Sequence, residues 1–455
     1  MNTPTSLDTS GLGGHPKGLT TLFFTELWER FSYYGMRAIL VLYMVAPVAN
    51  GGLAFDTKTA ASLYGTYTMA VYLMSLPGGL IADRILGARL AVLLGGIIIA
   101  CGHFTMVFSS MPFFYTGLVL IACGTGLLKP NISTMVGSLY GENDPRRDSG
   151  FSIFYMGINV GAVLAPLVCG YLAQSEGFKR WLSSMGFEPS ASWHWGFGAA
   201  GVGMTLGLIV YLAHRQRLAH IGQMIRKTKN VTKAEARPPL TSAEWKRVGA
   251  IFVFFLFTIL FWAAYEQKGA SLNLFADRLV RTEAFGMKFP SSWLQSMTAF
   301  FVIILAPLFS MLWVRMGERQ PSSPAKFTLG LLFIGLGYLL MIPAAMLTAS
   351  GKISPLWLVG LYFFEVVGEM CLSPVGLSTV TKLAPAKVLG IMMGVWFLAA
   401  SLGNKLAGYF AGFFNANDTG ALTTLYGSIA VGLLIAAGIL AALTPAIRRL
   451  MGNVH

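Results

Sequence analysis

The chain has 455 residues, of which 55% are hydrophobic and 11% charged, with a mean hydropathy of +0.63 and a formal net charge of +14. Soluble domains carry roughly a quarter charged residues, so this composition excludes a soluble globular protein and indicates a polytopic membrane protein. The positive balance does not indicate a nucleic-acid partner, because the basic residues fall in short loops between apolar segments without a basic-aromatic groove.

In chain order, the polar, glycine-rich tail 1–18 shows no signal-peptide pattern. Apolar runs of membrane-spanning length follow at approximately 19–48, 59–82, 90–109, 112–139, 150–174, 193–213, 248–276, 292–315, 326–348, 355–382, 388–414 and 421–447. These twelve segments predict an all-α integral membrane protein. A basic stretch, 214–247, separates an N-terminal six-helix bundle (19–213) from a C-terminal one (248–447), and a short tail, 448–455, closes the chain.

Loop charge predicts the orientation. With both ends cytoplasmic, Lys17, Arg84, Arg89, Arg146, Arg147, Arg315, Arg319, Lys326, Lys382, Lys387, Arg448 and Arg449 lie inside, with the nine basic residues of 214–247. Only Lys58, Lys179, Arg180, Arg278, Arg281, Lys288 and Lys352 fall on the opposite side, the asymmetry expected of cytoplasmic loops. The linker contains Arg226-Lys-Thr-Lys-Asn and Arg237-Pro-Pro, and reads as a solvated tether in preference to an anionic-lipid site. Asp83-Arg84-Ile-Leu-Gly-Ala-Arg89 after span two is echoed by Arg315-Met-Gly-Glu318-Arg319 after span eight, as two related halves would be.

The first span holds the densest polar pattern. At roughly 100° per residue, Glu26, Glu29, Arg30, Tyr33, Tyr34 and Arg37 fall within an arc of about 140°. Charge at membrane depth is costly, so this stripe is expected to face a hydrated cavity and pair there. A structural ion pair locking two helices is the plainer reading, but it does not require six polar or aromatic residues in register.

Later spans add fewer polar groups. Span two offers Tyr64 and Tyr67, and span four carries Lys129-Pro130-Asn131 at mid-membrane. Lys129 needs a counter-charge, from Glu26, Glu29 or an acid of the second half. Asn159 in span five suits either a helix–helix bond or a pocket wall. In span seven, Trp262 and Glu266 share a face, whereas Lys268 is expected to point elsewhere and snorkel outward. Tyr362, Glu365, Glu369 and Ser373 line one stripe of about 80° in span ten, where two like charges one turn apart make at least one acid a proton binder. Span eleven contributes Trp396 and Ser401. Cys101, Cys123, Cys169 and Cys371 lie singly in apolar runs, without metal-ligand spacing, and read as packing residues.

The chain lacks a nucleotide phosphate loop and the common hydrolase motifs, so neither a nucleotide-driven pump nor an enzyme is indicated. Buried glutamates in several spans make the proton gradient the expected energy source, with sodium as the alternative. No cofactor or metal is expected.

Glu26-x-x-Glu29-Arg30-Phe-x-Tyr33-Tyr34-Gly35 resembles the first-helix signature of the proton-dependent oligopeptide transporters, a branch of the major facilitator superfamily. Gly78-Gly-Leu-Ile-Ala-Asp83-Arg84-Ile-Leu-Gly87-Ala-Arg89 and Phe151-Ser-Ile-Phe-Tyr155-Met-Gly-Ile-Asn159-Val-Gly161 are similar to its later motifs. So are Trp262-Ala-x-x-Glu266-Gln267 and Gly368-Glu369-x-x-x-Ser373-Pro374-Val-Gly376-Leu-Ser378. The resemblance implies the major facilitator fold, with two six-helix bundles rocking about a midplane site and both termini cytoplasmic.

It further implies that Glu26, Glu29, Arg30 and Lys129 form a coupling network. Tyr33, Tyr34, Arg37, Asn159 and Trp396 would line the pocket, Glu266 would be the proton-linked acid of the second half, and Glu369 would hold a substrate ammonium. Tyr67, Trp262, Thr298, Glu365, Ser373 and Ser401 complete the candidate substrate set, to which Lys129 also belongs.

Three departures stand out. Bacterial members commonly carry two extra helices where this chain has a polar linker. The family's helix-eight Gln-Ser-x-Asn-Pro reads Gln295-Ser296-Met297-Thr298-Ala299, and Glu365 is an additional acid beside Glu369. The expected function is proton-coupled import of di- and tripeptides by a monomer in the lipid bilayer of the cytoplasmic (inner) membrane. A non-peptide anion or amphipathic carboxylate is the alternative cargo, and a non-transporting solute sensor the alternative from another class.

Overall fold

A computed structural model describes residues 8–141, 144–223, 240–284, 286–385 and 387–452. The runs beginning at Arg226 and Arg237, and parts of both tails, lie outside the described residues. Fifteen α-helices follow in order. The first eight are α1 (Lys17–Val45), α2 (Thr57–Leu73), α3 (Ser75–Ile81), α4 (Ala88–Thr105), α5 (Met111–Ser138), α6 (Arg147–Gln174), α7 (Glu176–Ser184) and α8 (Ser192–Ala213). The others are α9 (Ser242–Tyr265), α10 (Ser271–Leu279), α11 (Ser296–Met316), α12 (Ser323–Leu347), α13 (Leu356–Leu383), α14 (Leu389–Ala411) and α15 (Thr419–Met451).

Eleven helical runs of the described residues are long and apolar enough to cross a membrane. They include span two, which runs through α2 and α3, and span seven, which runs from α9 through a short 3-10 turn into α10. The first predicted span is α1, whose 29 residues extend about 43 Å at 1.5 Å per residue. Lys17, Glu26, Glu29, Arg30 and Arg37 set it apart from the other eleven in composition. Among the described residues the only ladder is the hairpin Glu283–Ala284 with Met287–Lys288, beside an isolated bridge from Val280 to Ile353.

Among the described residues, six helices contain an interior proline: Pro130 in α5, Pro166 in α6, Pro307 in α11, Pro343 in α12, Pro374 in α13 and Pro445 in α15. Membrane helices tolerate them because neighbouring groups re-satisfy the freed backbone carbonyls. Helix starts are set by local chemistry. Thr241 and Glu244 close a capping box on α9, and the Asp418 carboxylate accepts the Ala421 N–H at 3.0 Å to start α15.

The described chain forms two compact units, 8–40 with 49–51 and 70–223, and 41–48 with 52–69 and 240–452. The division passes through α1 after Leu40 and through α2 after Met69. In the first unit, α4 and α5 meet at Gly95 and Gly124. A Cβ on Gly95 would lie 2.7 Å from the Gly124 carbonyl oxygen, and one on Gly124 would lie 2.6 Å from that of Gly95. Around this contact Leu19, Leu22, Val92, Ile99, Leu128, Ile132 and Met204 form the core. The second unit repeats the device, since a Cβ on Gly368 of α13 would lie 2.7 Å from the Gly330 carbonyl oxygen of α12. Small residues let membrane helices approach this closely, and the dispersion gained replaces the hydrophobic driving force that lipid removes. On α11, Phe300, Ile304, Leu308, Met311 and Leu312 are exposed at helical spacing, an apolar stripe suited to acyl chains.

Outside the spans, the first unit folds its N-terminal tail against the α5–α6 loop. Arg146 pairs with Asp144 at 2.8 Å and donates to the backbone carbonyls of Asp8 at 3.1 Å and Gly14 at 2.9 Å. The Arg146 side chain also holds the Asp144 carboxyl below the usual carboxylate range. His15 Nδ1 lies 2.8 Å from the Tyr140 hydroxyl.

The Gly95–Gly124 contact is testable. Gly124→Leu should force α4 and α5 apart at a cost of about 1–3 kcal/mol, lowering the melting temperature in detergent by several degrees. An unchanged melting temperature would show that this contact does not limit packing.

Candidate functional site

Each unit buries one ionisable cluster. In the first unit the helical phase of α1 sets Arg30 between two acids. Its Nε lies 3.1 Å from Glu26 Oε1 and makes a shorter ion pair with Glu29. Glu26, Glu29 and Arg30 are 2%, 0% and 3% exposed, so this pairing takes place away from solvent. Among the described residues, Glu26 Oε2, Glu29 Oε1 and Arg30 Nη2 have no hydrogen-bond partner. The triad therefore keeps unused acceptors and a donor next to its internal bonds.

Tyr33 lies beside two guanidiniums, with its ring centroid 5.2 Å from Arg30 Cζ and 5.9 Å from Arg37 Cζ. Tyr34 packs edge-on against Tyr33 and is within electrostatic reach of Arg30. From α5, Lys129 reaches the electrostatic neighbourhood of Glu26, with its ammonium 4.2 Å from the Tyr72 ring centroid. Glu26 thus supplies Lys129 with a counter-charge inside its own unit. Asn159 is buried on α6, and its amide donates to the Tyr155 carbonyl one turn back at 2.9 Å. That donor supports its own helix and makes no helix–helix bond.

The second unit gathers its charges around the end of α9. The α-helix stops at Tyr265, and Glu266–Gly269 continue as a 3-10 turn before α10. Three ties hold the turn. Gln267 donates to the Ala407 carbonyl at 3.0 Å, Ser271 donates to Gln267 at 2.6 Å, and Tyr338 donates to the Ala264 carbonyl at 2.8 Å. The Tyr265 hydroxyl makes a short hydrogen bond to Glu369, and the Lys268 ammonium lies 3.4 Å from the Tyr265 ring centroid. Lys268 and Glu266 both lie within electrostatic reach of Glu365 and of Glu369.

The outward-snorkelling expectation for Lys268 is therefore corrected. Two residues along an α-helix turn by about 200°, but a tighter 3-10 turn of three residues per turn adds about 240°. The change of helix type at Glu266 brings Lys268 into the acidic cluster. Sequence periodicity missed this cation, and the Gln267-Lys268-Gly269 run was the available sign that α9 does not continue.

The other candidates of this unit have diverse settings. Thr298 on α11 is 4% exposed and its hydroxyl lacks a partner among the described residues. Trp396 is 8% exposed and packs on Gly376, where a Cβ would lie 2.0 Å from its ring. Ser401 is 1% exposed and donates to the Met69 carbonyl at 3.0 Å, which commits its hydroxyl to joining α14 and α2. Trp262 packs edge-on against Tyr265 at 5.2 Å, Tyr67 is buried, and Ser373 is half-buried. The described residues contain no group of three or more His, Cys, Asp or Glu placed to hold a metal.

The cluster around Lys268 has three carboxyls and one ammonium. Lys268→Met should lower the melting temperature more at pH 8 than at pH 5, because ionised carboxylates need a counter-ion and protonated ones do not. An equal loss at both values would show that Lys268 acts there through packing alone.

The model of the POT family matches residues 89–234 and 214–429. A peptide transporter of Yersinia enterocolitica is 37% identical over 97% of this chain and 96% of that protein. A di-/tripeptide transporter of Lactococcus lactis subsp. cremoris is 34% identical over 97% of this chain and 98% of that protein. The crystal structure of a mutant peptide transporter POT in complex with alafosfalin matches with a TM-score of 0.88 at 38% identity, covering 98% of each chain.

Proposed function

We propose that this chain, which belongs to the POT family of transporters, imports di- and tripeptides together with protons by alternating access. It is a transporter and not an enzyme. The observation that carries the cargo and coupling assignment is the pair of buried ionisable clusters, one in each unit, in which two or more carboxyls share a cation. The names of the similar proteins from Yersinia enterocolitica and Lactococcus lactis support peptides as cargo.

In this reading, Arg30, Arg37 and Lys129 offer charge-assisted hydrogen bonds to a peptide carboxylate, and Tyr33, Tyr34 and Asn159 flank them. Glu369, oriented by the Tyr265 hydroxyl, receives the ammonium. Trp262, Trp396, Tyr67, Thr298, Ser373 and Ser401 supply walls and polar contacts for the peptide. Glu26 and Glu29 compete for Arg30, so protonating either one releases part of the guanidinium for substrate. Glu266 is the coupling acid of the second unit. Loading it with a proton changes the charge around Lys268 and Glu369 and so favours one conformational state over another. The chain works as a monomer in the cytoplasmic membrane with both ends in the cytoplasm, without a cofactor, driven by the proton gradient.

Glu266→Gln should abolish proton-driven accumulation of labelled dialanine in proteoliposomes while leaving counterflow intact. Uphill uptake at the wild-type level would refute the coupling role. Thr298, a buried hydroxyl where the resemblance leads one to expect asparagine, favours including the second cargo class. In the same assay, dipeptides should compete with dialanine, and organic carboxylates without an ammonium should not. The reverse order would assign the chain an anion or amphipathic carboxylate.

A further inference from the structure

Glu365 lies one helical turn from Glu369 on α13, yet its surroundings are different. It is 0% exposed, and neither carboxyl oxygen has a hydrogen-bond partner among the described residues. Two phenols lie within electrostatic reach of it, Tyr338 from α12 and Tyr362 from α13 itself, and Tyr426 from α15 lies in turn within reach of both. All three are buried at 0% exposure.

Two of these phenols have already committed their single O–H. Tyr338 donates to the Ala264 carbonyl at 2.8 Å, and Tyr426 donates to the Ser271 carbonyl at 3.3 Å. A hydroxyl whose proton is engaged offers its neighbour only lone pairs. An ionised Glu365 would therefore meet a lone pair of Tyr338, whereas a protonated Glu365 brings the donor that Tyr338 can accept. The Tyr362 hydroxyl has no partner among the described residues and makes no normal hydrogen bond to Glu365. The charged neighbours lead to the same result. Glu266, Lys268 and Glu369 are the ionisable groups acting on Glu365, which makes three carboxyls facing one ammonium. A buried cluster of that composition is neutral only when it holds two protons, and unpaired buried charge is strongly disfavoured.

We propose that Glu365 is a second proton-carrying residue of this unit, working beside Glu266, so that the cluster exchanges two protons per transport cycle. The inference rests on the peptide-symport reading for its cycle, but the proton on Glu365 does not. When a peptide ammonium reaches Glu369, the cluster gains a positive charge and neutrality then requires one proton fewer, and the second proton leaves once the site opens to water that hydrates the carboxylate left behind. Glu365 and Glu266 are the groups that can release them. The carboxyl O–H breaks, the proton leaves to solvent, and the carboxylate left behind is balanced by the arriving ammonium or by Lys268.

Two measurements test this on the full-length protein. In proteoliposomes at zero membrane potential, the dialanine gradient that stops net flux reports the number of coupled protons. Wild type should balance at about 100-fold per pH unit or more, and Glu365→Gln about 10-fold lower than wild type. A wild-type balance near 10-fold, or the same balance point in both proteins, overturns the proposal. Glu365→Met replaces Gln if that variant fails to fold. Infrared difference spectroscopy gives the independent reading. Wild type should show protonated-carboxyl absorbance at neutral pH that both variants lose in part, by the component of one carboxyl, and absorbance unchanged in them overturns the assignment. If wild type takes up no dialanine, the peptide reading fails and the infrared result alone decides whether Glu365 carries a proton.

Discussion

Charge taken out of water needs a partner, and at bilayer depth the partner has to come from protein, proton or cargo. Removing an ion from solvent costs several kcal/mol even after relaxation, and a single opposite charge seldom offsets that completely. Both units of this chain nevertheless bury carboxylates that share a cation. In the first, Glu26 and Glu29 share Arg30. In the second, Glu266, Glu365 and Glu369 share Lys268. Such clusters respond to each added proton or bound ion, because every change of one charge re-divides the remaining partners. That responsiveness is the physical content of coupling.

The scaffold has to stay fixed while the clusters change charge. Gly95 against Gly124, and Gly330 against Gly368, bring backbones close enough that the helix pairs within each unit pack rigidly. Many buried polar side chains serve the same purpose. Gln267 and Tyr338 each donate to a backbone carbonyl, which removes them from the exchangeable set. By contrast, Glu26 Oε2, Arg30 Nη2, the Thr298 hydroxyl and both Glu365 oxygens have no partner among the described residues. Buried groups left in that condition are costly, so a chain that retains several of them has a use for them. The division between committed and uncommitted groups separates framework from working parts more sharply than residue type does.

Much of this was legible from the amino-acid order. Segment length and apolarity marked the spans, the 3.6-residue period put Glu26, Glu29 and Arg30 on one stripe, and the motif order matched one family along nearly the whole chain. Those features depend on near neighbours in the chain, which is why they could be read without coordinates. The tertiary structure alone decided which polar side chains remain available. Lys268 joins the acids because α9 gives way to a tighter turn, a change of period invisible to a search assuming one helix type. The setting of Glu365 depends on Tyr338, whose hydroxyl partner lies 74 residues away in sequence. Helical periodicity is set within a few residues, whereas the fate of a buried proton or hydroxyl is set by whichever distant helix packs against it.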